Sequence, residues 1–179
     1  RLGYVTQKAT LFSGTVESNV FFGSGAAAET DEGLQRALGL SQAAEFVNAY
    51  PEGAQRAIAQ LGRNVSGGQK QRLAIARALA RGAEILIFDD SFSALDYRTD
   101  AKLRAGLGTQ MAGVTKIIVA QRISTIRHAD EILVLDRGEI VGRGTHEELL
   151  RTCEVYREIA GSQLSERELQ EGGAQHEAE

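Results

Sequence analysis

The 179-residue chain has one cysteine, one proline and one methionine, and it carries no excess of basic charge. Each shortage narrows what it can be. Cys153 can close no internal disulfide and has no second thiol at a metal-binding spacing, which suits a reducing compartment. With a net charge of −4 and acids spread along its length, the sequence offers no basic face to collect phosphates, so no nucleic-acid partner is expected. Apolar runs such as Ile85-Leu86-Ile87-Phe88 and Ile117-Ile118-Val119-Ala120 fall far short of the roughly 20 residues that a membrane-crossing helix needs. The chain opens on Arg1, and its only methionine, Met111, is far inside, so it reads as a piece of a longer protein. With 42% hydrophobic and 25% charged residues, it can hold one globular core or a large part of one.

What is present is ordered along the chain. Leu2 to Thr6 reads as a short strand, followed by a polar loop from Gln7 to Gly14 in which Leu11 and Phe12 are candidate docking residues. From Thr15 to about Tyr50 apolar residues recur at helical spacing, in a short helix closed by Val20, Phe21 and Phe22 and then in two more. Pro51 ends that block. A glycine-bearing stretch leads to a helix predicted over Gln69 to Ala80. Then the rhythm changes to short β-rich runs at Glu84 to Asp90, Lys116 to Ala120, Glu131 to Leu135 and Glu139 to Arg143, with helical material such as Tyr97 to Met111 between them. This alternation predicts an α/β fold with a mainly parallel sheet covered on both faces. Thr145 and Glu148 have the spacing of a capping box before Leu149 and Leu150. The Glu- and Gln-rich end, residues 163–179, reads as a disordered tail.

Two segments carry chemistry. In Val65-Ser66-Gly67-Gly68-Gln69 a hydroxyl and two adjacent glycines stand at the start of a helix, so backbone N–H groups and the positive end of the helix can meet an anion. A glycine-rich turn before a helix is the plainer reading of that segment alone. In Ile85-Leu86-Ile87-Phe88-Asp89-Asp90 an apolar strand delivers two carboxylates at its C-terminal end, where ligands gather in open α/β sheets. Asp89 is placed to hold Mg²⁺ and Asp90 to face a terminal phosphate. Two acids at a strand exit are also common without a ligand.

Together with Gly3-Tyr4-Val5-Thr6-Gln7, Ser93-Ala94-Leu95-Asp96 and Gln121-Arg122-Ile123-Ser124-Thr125, these segments resemble the ordered motifs of ABC ATPases: Q-loop, signature, Walker B, D-loop and a modified switch loop. The resemblance covers about Arg1 to Ser162. Leu11-Phe12-Ser13-Gly14-Thr15-Val16 and Gly144-Thr145-His146-Glu147-Glu148-Leu149-Leu150 are similar to exporters whose membrane helices precede the ATPase in one chain. The resemblance therefore implies a P-loop NTPase-like core with a helical subdomain at about 15–81, the rest of the core at 82–162, and an N-terminal membrane domain outside this chain. It places the domain on the cytoplasmic face of a membrane.

In this family two ATPase domains close head to tail around ATP. Ser66, Gly67, Gly68 and Gln69 would then serve a partner's nucleotide, while Gln7, Asp89, Asp90 and Gln121 would serve this chain's own. Gln7 would touch the metal together with Asp89, and Asp96 would cross the dimer interface. The resemblance also exposes departures. No G-x-x-x-x-G-K-[ST] string, the Walker A loop, occurs anywhere, so the fragment alone is expected to be inactive. Asp90 stands where hydrolysing members have Glu; one methylene fewer withdraws the carboxylate by roughly 1.5 Å, and misplacement of about 1 Å can cost a hundredfold in rate. Gln121 stands where they have His, and a neutral amide brings no positive charge to a γ-phosphate. Gln60-Leu61-Gly62-Arg63 lacks the acid that many exporters show there. His128 reads as a surface residue rather than a replacement for the switch histidine.

The expected function is that of an ATP-binding part of an ABC exporter, with a degenerate site of its own and a signature that completes the site of a second half-transporter in a heterodimer. The alternatives are a homodimeric exporter that hydrolyses slowly with Asp90 as general base, a soluble ABC protein of translation or DNA repair, and a non-catalytic dimerisation piece. The exporter-like segments, and the lack of a second such domain, a long coiled coil or zinc-spaced cysteines, argue against the translation or repair reading.

Overall fold

The computed structural model describes residues 2–24 and 29–163. Strand β1 (Leu2–Val5) alternates outward and inward side chains and runs parallel to β4 (Ile85–Asp89), which runs parallel to β5 (Thr115–Val119). Their order is β1-β4-β5. Gly3 is where β1 comes nearest its neighbours: a Cβ there would stand 2.7 Å from a methyl group of Leu86 and 3.0 Å from the carbonyl oxygen of Ala78. Val5, Leu86 and Phe88 enter one continuous core with Leu73, Ile75 and Leu103.

Between β1 and β4 lies the helical block. Strand β2 (Gly14–Thr15) pairs antiparallel with β3 (Ala57–Ile58) and closes the block at its base. Helix α1 (Val16–Val20) opens on a capping box formed by Thr15 and Ser18, and α2 (Asp31–Leu40) on Thr30, which accepts the Gly33 N–H. After α3 (Ala44–Asn48), two single turns of 3₁₀ helix lead to α4 (Gly67–Ala80), whose apolar face supplies Leu73, Ile75, Ala76 and Leu79 to the core. Helix α5 (Tyr97–Gln110) adds Leu103 and Leu107.

The parallel sheet is present, but its cover differs from the expectation. Leu2, Tyr4, Ile117 and Val119, on the face opposite Val5 and Phe88, are each about half exposed, at 50%, 52%, 49% and 53%. Continuous Ile, Leu and Val runs predict burial on both faces, yet no described element lies over this one.

The chain divides into two compact units, the second beginning at Ala120. In the second unit α6 (Ile123–Ile126) is one turn long. Strands β6 (Ile132–Asp136) and β7 (Glu139–Gly144) form a separate antiparallel hairpin. Arg137 and Gly138 turn it with φ of +48° and +86°, the left-handed pair that a tight hairpin requires. Helix α7 (His146–Thr152) opens on the Thr145–Glu148 capping box anticipated from the sequence, and α8 (Glu154–Gln163) follows. Ile123, Ile132, Val134, Leu149, Cys153, Tyr156 and Ala160 make the core of this unit. Of the expected tail, Gln163 is the last residue of α8, and residues 164–179, with His176, lie outside the described residues.

Candidate functional site

The carboxylate pair stands where the strand pattern puts it. Asp89 is the last residue of β4, opposite Val119 of β5. Asp90 leaves the strand with φ +46°, a left-handed conformation that Asp tolerates better than most side chains. Such a conformation costs about 1–3 kcal/mol and persists only where its surroundings fix it. Here they do: the Asp90 N–H donates to the Val119 carbonyl at 2.9 Å, and Ser93 Oγ donates to the Asp90 carbonyl at 2.8 Å. Ser91, fully buried, donates to the Val5 carbonyl at 2.9 Å and ties the exits of β4 and β1 together.

Those parallel exits bring Gln7 to the pair. Its Nε2 donates to Asp90 Oδ2 at 3.2 Å, across 83 positions of sequence. Tyr4, the next-to-last residue of β1 and on the same face as Asp89, donates its hydroxyl to Asp89 Oδ2 at 2.8 Å. That bond holds the phenol's proton, so Tyr4 titrates above its ordinary value of 10.0. Sequence reasoning missed Tyr4; the signal was the period of two, which puts Tyr4, Ile87 and Asp89 on one face once β1 and β4 are in register.

Helix α4 begins at Gly67, two residues earlier than predicted, so both glycines form its first turn. Ser66 Oγ accepts the Gln69 N–H at 3.3 Å, and Gln69 Oε1 accepts the Ser66 N–H at 3.0 Å. Accepting that bond leaves the Ser66 hydroxyl proton available to an outside acceptor. The N–H groups of Gly67 and Gly68 have no acceptor within the helix. A Cβ on Gly68 would stand 3.4 Å from the Ala94 carbonyl, so the loop carrying Ser93 to Asp96 runs beside this turn. Asp96 itself caps α5: its carboxylate accepts from the Thr99 N–H at 2.9 Å and the Thr99 hydroxyl at 2.7 Å, and these bonds hold it below the usual carboxylate range.

The loop after Gln7 is held from beneath. Gln71, buried in α4, donates to the Thr6 carbonyl at 3.2 Å. Arg77 donates to the carbonyls of Asn19 and Thr10, at 2.8 and 3.0 Å, and its burial lowers its pKa. Buried Asn19 in turn bonds both the N–H and the carbonyl of Phe12, at 2.9 Å each. Phe12 stacks on Phe22 with ring centroids 4.3 Å apart and stays exposed, whereas Leu11 is a core residue. Within Gln60-Leu61-Gly62-Arg63, Leu61 is exposed with φ +58°.

Gln121 belongs to the second unit, at its start. Its carbonyl accepts from Gln163 Nε2 at 2.8 Å. His128 is exposed and accepts from Arg127 Nε at 3.1 Å. His146, which the sequence placed only in a capped first turn, is buried, with Nδ1 2.8 Å from the hydroxyl of buried Tyr156.

The donor set at the end of β4 is two carboxylates and a carboxamide, all hard oxygen ligands. Among the described residues no cluster of three or more His, Cys, Asp or Glu side chains could hold a metal by itself. An ion that takes one or two carboxylates and completes its shell with water and phosphate, as Mg²⁺ does, fits such a set.

Comparison with known proteins agrees on the family. A family model described as ABC transporter matches residues 1–93. An uncharacterized ABC transporter ATP-binding protein of Mycobacterium tuberculosis is 48% identical over 163 residues, 90% of this chain and 28% of that protein. An ATP-dependent lipid A-core flippase of Xanthomonas oryzae pv. oryzae is 42% identical over 168 residues, 94% of this chain and 28% of the flippase. The structure of a bacterial Atm1-family ABC exporter with ATP bound superposes with a TM-score of 0.86 at 36% identity, over 92% of this chain and 29% of the exporter chain. The chain thus spans less than a third of the length of these relatives, and it belongs to the ABC transporter family.

Proposed function

We propose that this chain is the signature and Walker B part of an ATP-binding domain in an ABC exporter, coupling ATP binding and hydrolysis to export across a membrane on whose cytoplasmic face it sits. The similarity to exporter and flippase sequences supports that reading. So does the open apolar sheet face of Leu2, Tyr4, Ile117 and Val119, which suits cover by a segment preceding this one in the longer protein. Such a segment would also bring the Walker A loop.

Bound Mg²⁺ would supply charge neutralisation at the β- and γ-phosphates. Asp89 would hold it, and Gln7 would turn its amide oxygen toward it while its Nε2 keeps Asp90 oriented. Asp90 would accept the proton of an attacking water. Its shorter reach than Glu, and the uncharged amide of Gln121, weaken that step, so ATP at this chain's own site would be held longer than it is cleaved. Ser66, Gly67, Gly68 and Gln69 would close on the phosphates of a partner subunit's nucleotide, with the D-loop around Asp96 between the two.

The observation that carries this reading is the 3.2 Å bond between Gln7 and Asp90 at the strand exit, with an aspartate in the base's place. The test is ATPase turnover of the full-length protein co-purified with its partner. Asp90→Asn should lower it less than threefold, whereas changing the partner's corresponding carboxylate to its amide should lower it on the order of a hundredfold or more. Equal losses would refute a degenerate site. One observation favours a homodimer with slow hydrolysis instead: Asp90 remains a carboxylate, held by Gln7 on its side chain and by Val119 and Ser93 on its main chain. Steady turnover by the full-length chain alone, abolished by Asp90→Asn, would select that reading.

A further inference from the structure

Helix α6, which follows Gln121, is a single turn, Ile123–Ile126. So short a helix has almost no stability of its own, and its first N–H groups have no acceptor within it. Its N-cap, Arg122, makes no side-chain capping bond. The missing cap comes from 40 positions away: Gln163 Oε1 accepts the Ile123 N–H at 2.9 Å, while Gln163 Nε2 donates to the Gln121 carbonyl at 2.8 Å. One carboxamide thus grips the main chain on both sides of Arg122. A carboxamide presents an uncharged donor and an acceptor on two separate atoms at the end of one side chain.

The base of this grip is firm. Tyr156, Ala160 and Gln163 follow one another at spacings of four and three, on one face of α8. Tyr156 and Ala160 are buried in the second unit's core, and Tyr156 bonds to His146.

We propose that Gln163 is a positioning residue for the switch loop: its amide fixes the peptide planes from Gln121 to Ile123 and thereby aims the Gln121 side chain. The proposal rests on the reading of Gln121 as the residue that faces the terminal phosphate, and its test separates the two.

The experiment uses the full-length protein with its partner and the variants Gln163→Ala and Gln163→Glu. The second keeps an acceptor for the Ile123 N–H but sets an oxygen against the Gln121 carbonyl. Hydrogen–deuterium exchange of the segment 121–126 should speed up about fivefold in Gln163→Glu, which loses one ordinary hydrogen bond, and about 25-fold in Gln163→Ala, which loses both, while exchange in β6 and β7 stays unchanged. Retention of radiolabelled ATP on this chain's own site should shorten by similar factors. Unchanged exchange in 121–126 would overturn the proposal. So would faster exchange with unchanged retention, if Gln121→Ala shortens retention. If Gln121→Ala also leaves retention unchanged, the clamp stands and the assigned role of Gln121 is what fails.

Discussion

The start of α4 and the end of β4 would both meet a ligand's phosphates, yet they are built in opposite ways. Ser66 to Gln69 is a contiguous segment that satisfies itself: serine and glutamine cap one another and the glycines follow in the first turn. The corner at Asp89 and Asp90 is assembled from strands more than 80 positions apart, with Tyr4 on Asp89, Gln7 on Asp90, and Asp90 itself in a left-handed conformation. A self-capped helix start is rigid before any ligand arrives. A corner tied by long-range hydrogen bonds can rearrange when one of its partners is drawn away.

The widest gap between the two should appear on placing a charge at the helix start. Ser66→Asp keeps an N-cap acceptor, so thermal stability should hold to within about 0.5 kcal/mol. The new carboxylate would face the partner's phosphates, and turnover of the full assembly should fall on the order of a hundredfold or more. Turnover that survives would mean Ser66 only caps. At the corner, Asp89→Asn should weaken Mg²⁺-dependent nucleotide binding at this chain's site by at least the roughly 10- to 100-fold that losing a group supporting a metal ligand costs, as read by Mg²⁺ titration of fluorescent nucleotide binding. Tyr4→Phe keeps the ring and removes only the bond to Asp89, so the same titration should shift about threefold to fivefold. A shift as large as that of Asp89→Asn would make Tyr4 more than a support.

How much of this was legible follows from the same contrast. The Ser66 segment could be read directly, because cap, glycines and helix are neighbours in sequence; only the helix start was misplaced, since Gly67 and Gly68 look like turn residues but stand in the first turn. β4 and its two acids could be read from one apolar run. Neither Tyr4 on Asp89 nor Gln163 on the Gln121 loop could be, because each depends on a register or packing that a single segment does not encode. The open sheet face was missed for a related reason: an Ile-rich run reports that its strand was made to be covered, not which segment covers it.

The smallest effect expected lies in the second unit. Burial lowers the pKa of His146 from its ordinary value of 6.5 and pushes the Tyr156 hydroxyl up to about 12. Because the folded His146 favours its neutral form, stability is fully present above pH 6.5 and is lost as pH falls below it through the lowered folded value. Tyr156 acts at the other end, its contribution present below pH 10 and lost as pH rises toward 12. Urea unfolding of the full-length protein at pH 7.5 and 5.5 should show weaker stability at the lower pH, and His146→Gln should flatten that dependence.

The nucleotide retained by each subunit after turnover tests the central claim most directly. The full-length assembly would be loaded with radiolabelled photoreactive ATP, allowed to turn over, crosslinked and separated into its polypeptides. Intact triphosphate on this chain, with diphosphate predominating on its partner, is the predicted result. Diphosphate on both, formed at equal rates, would contradict a degenerate site at Asp90 and Gln121.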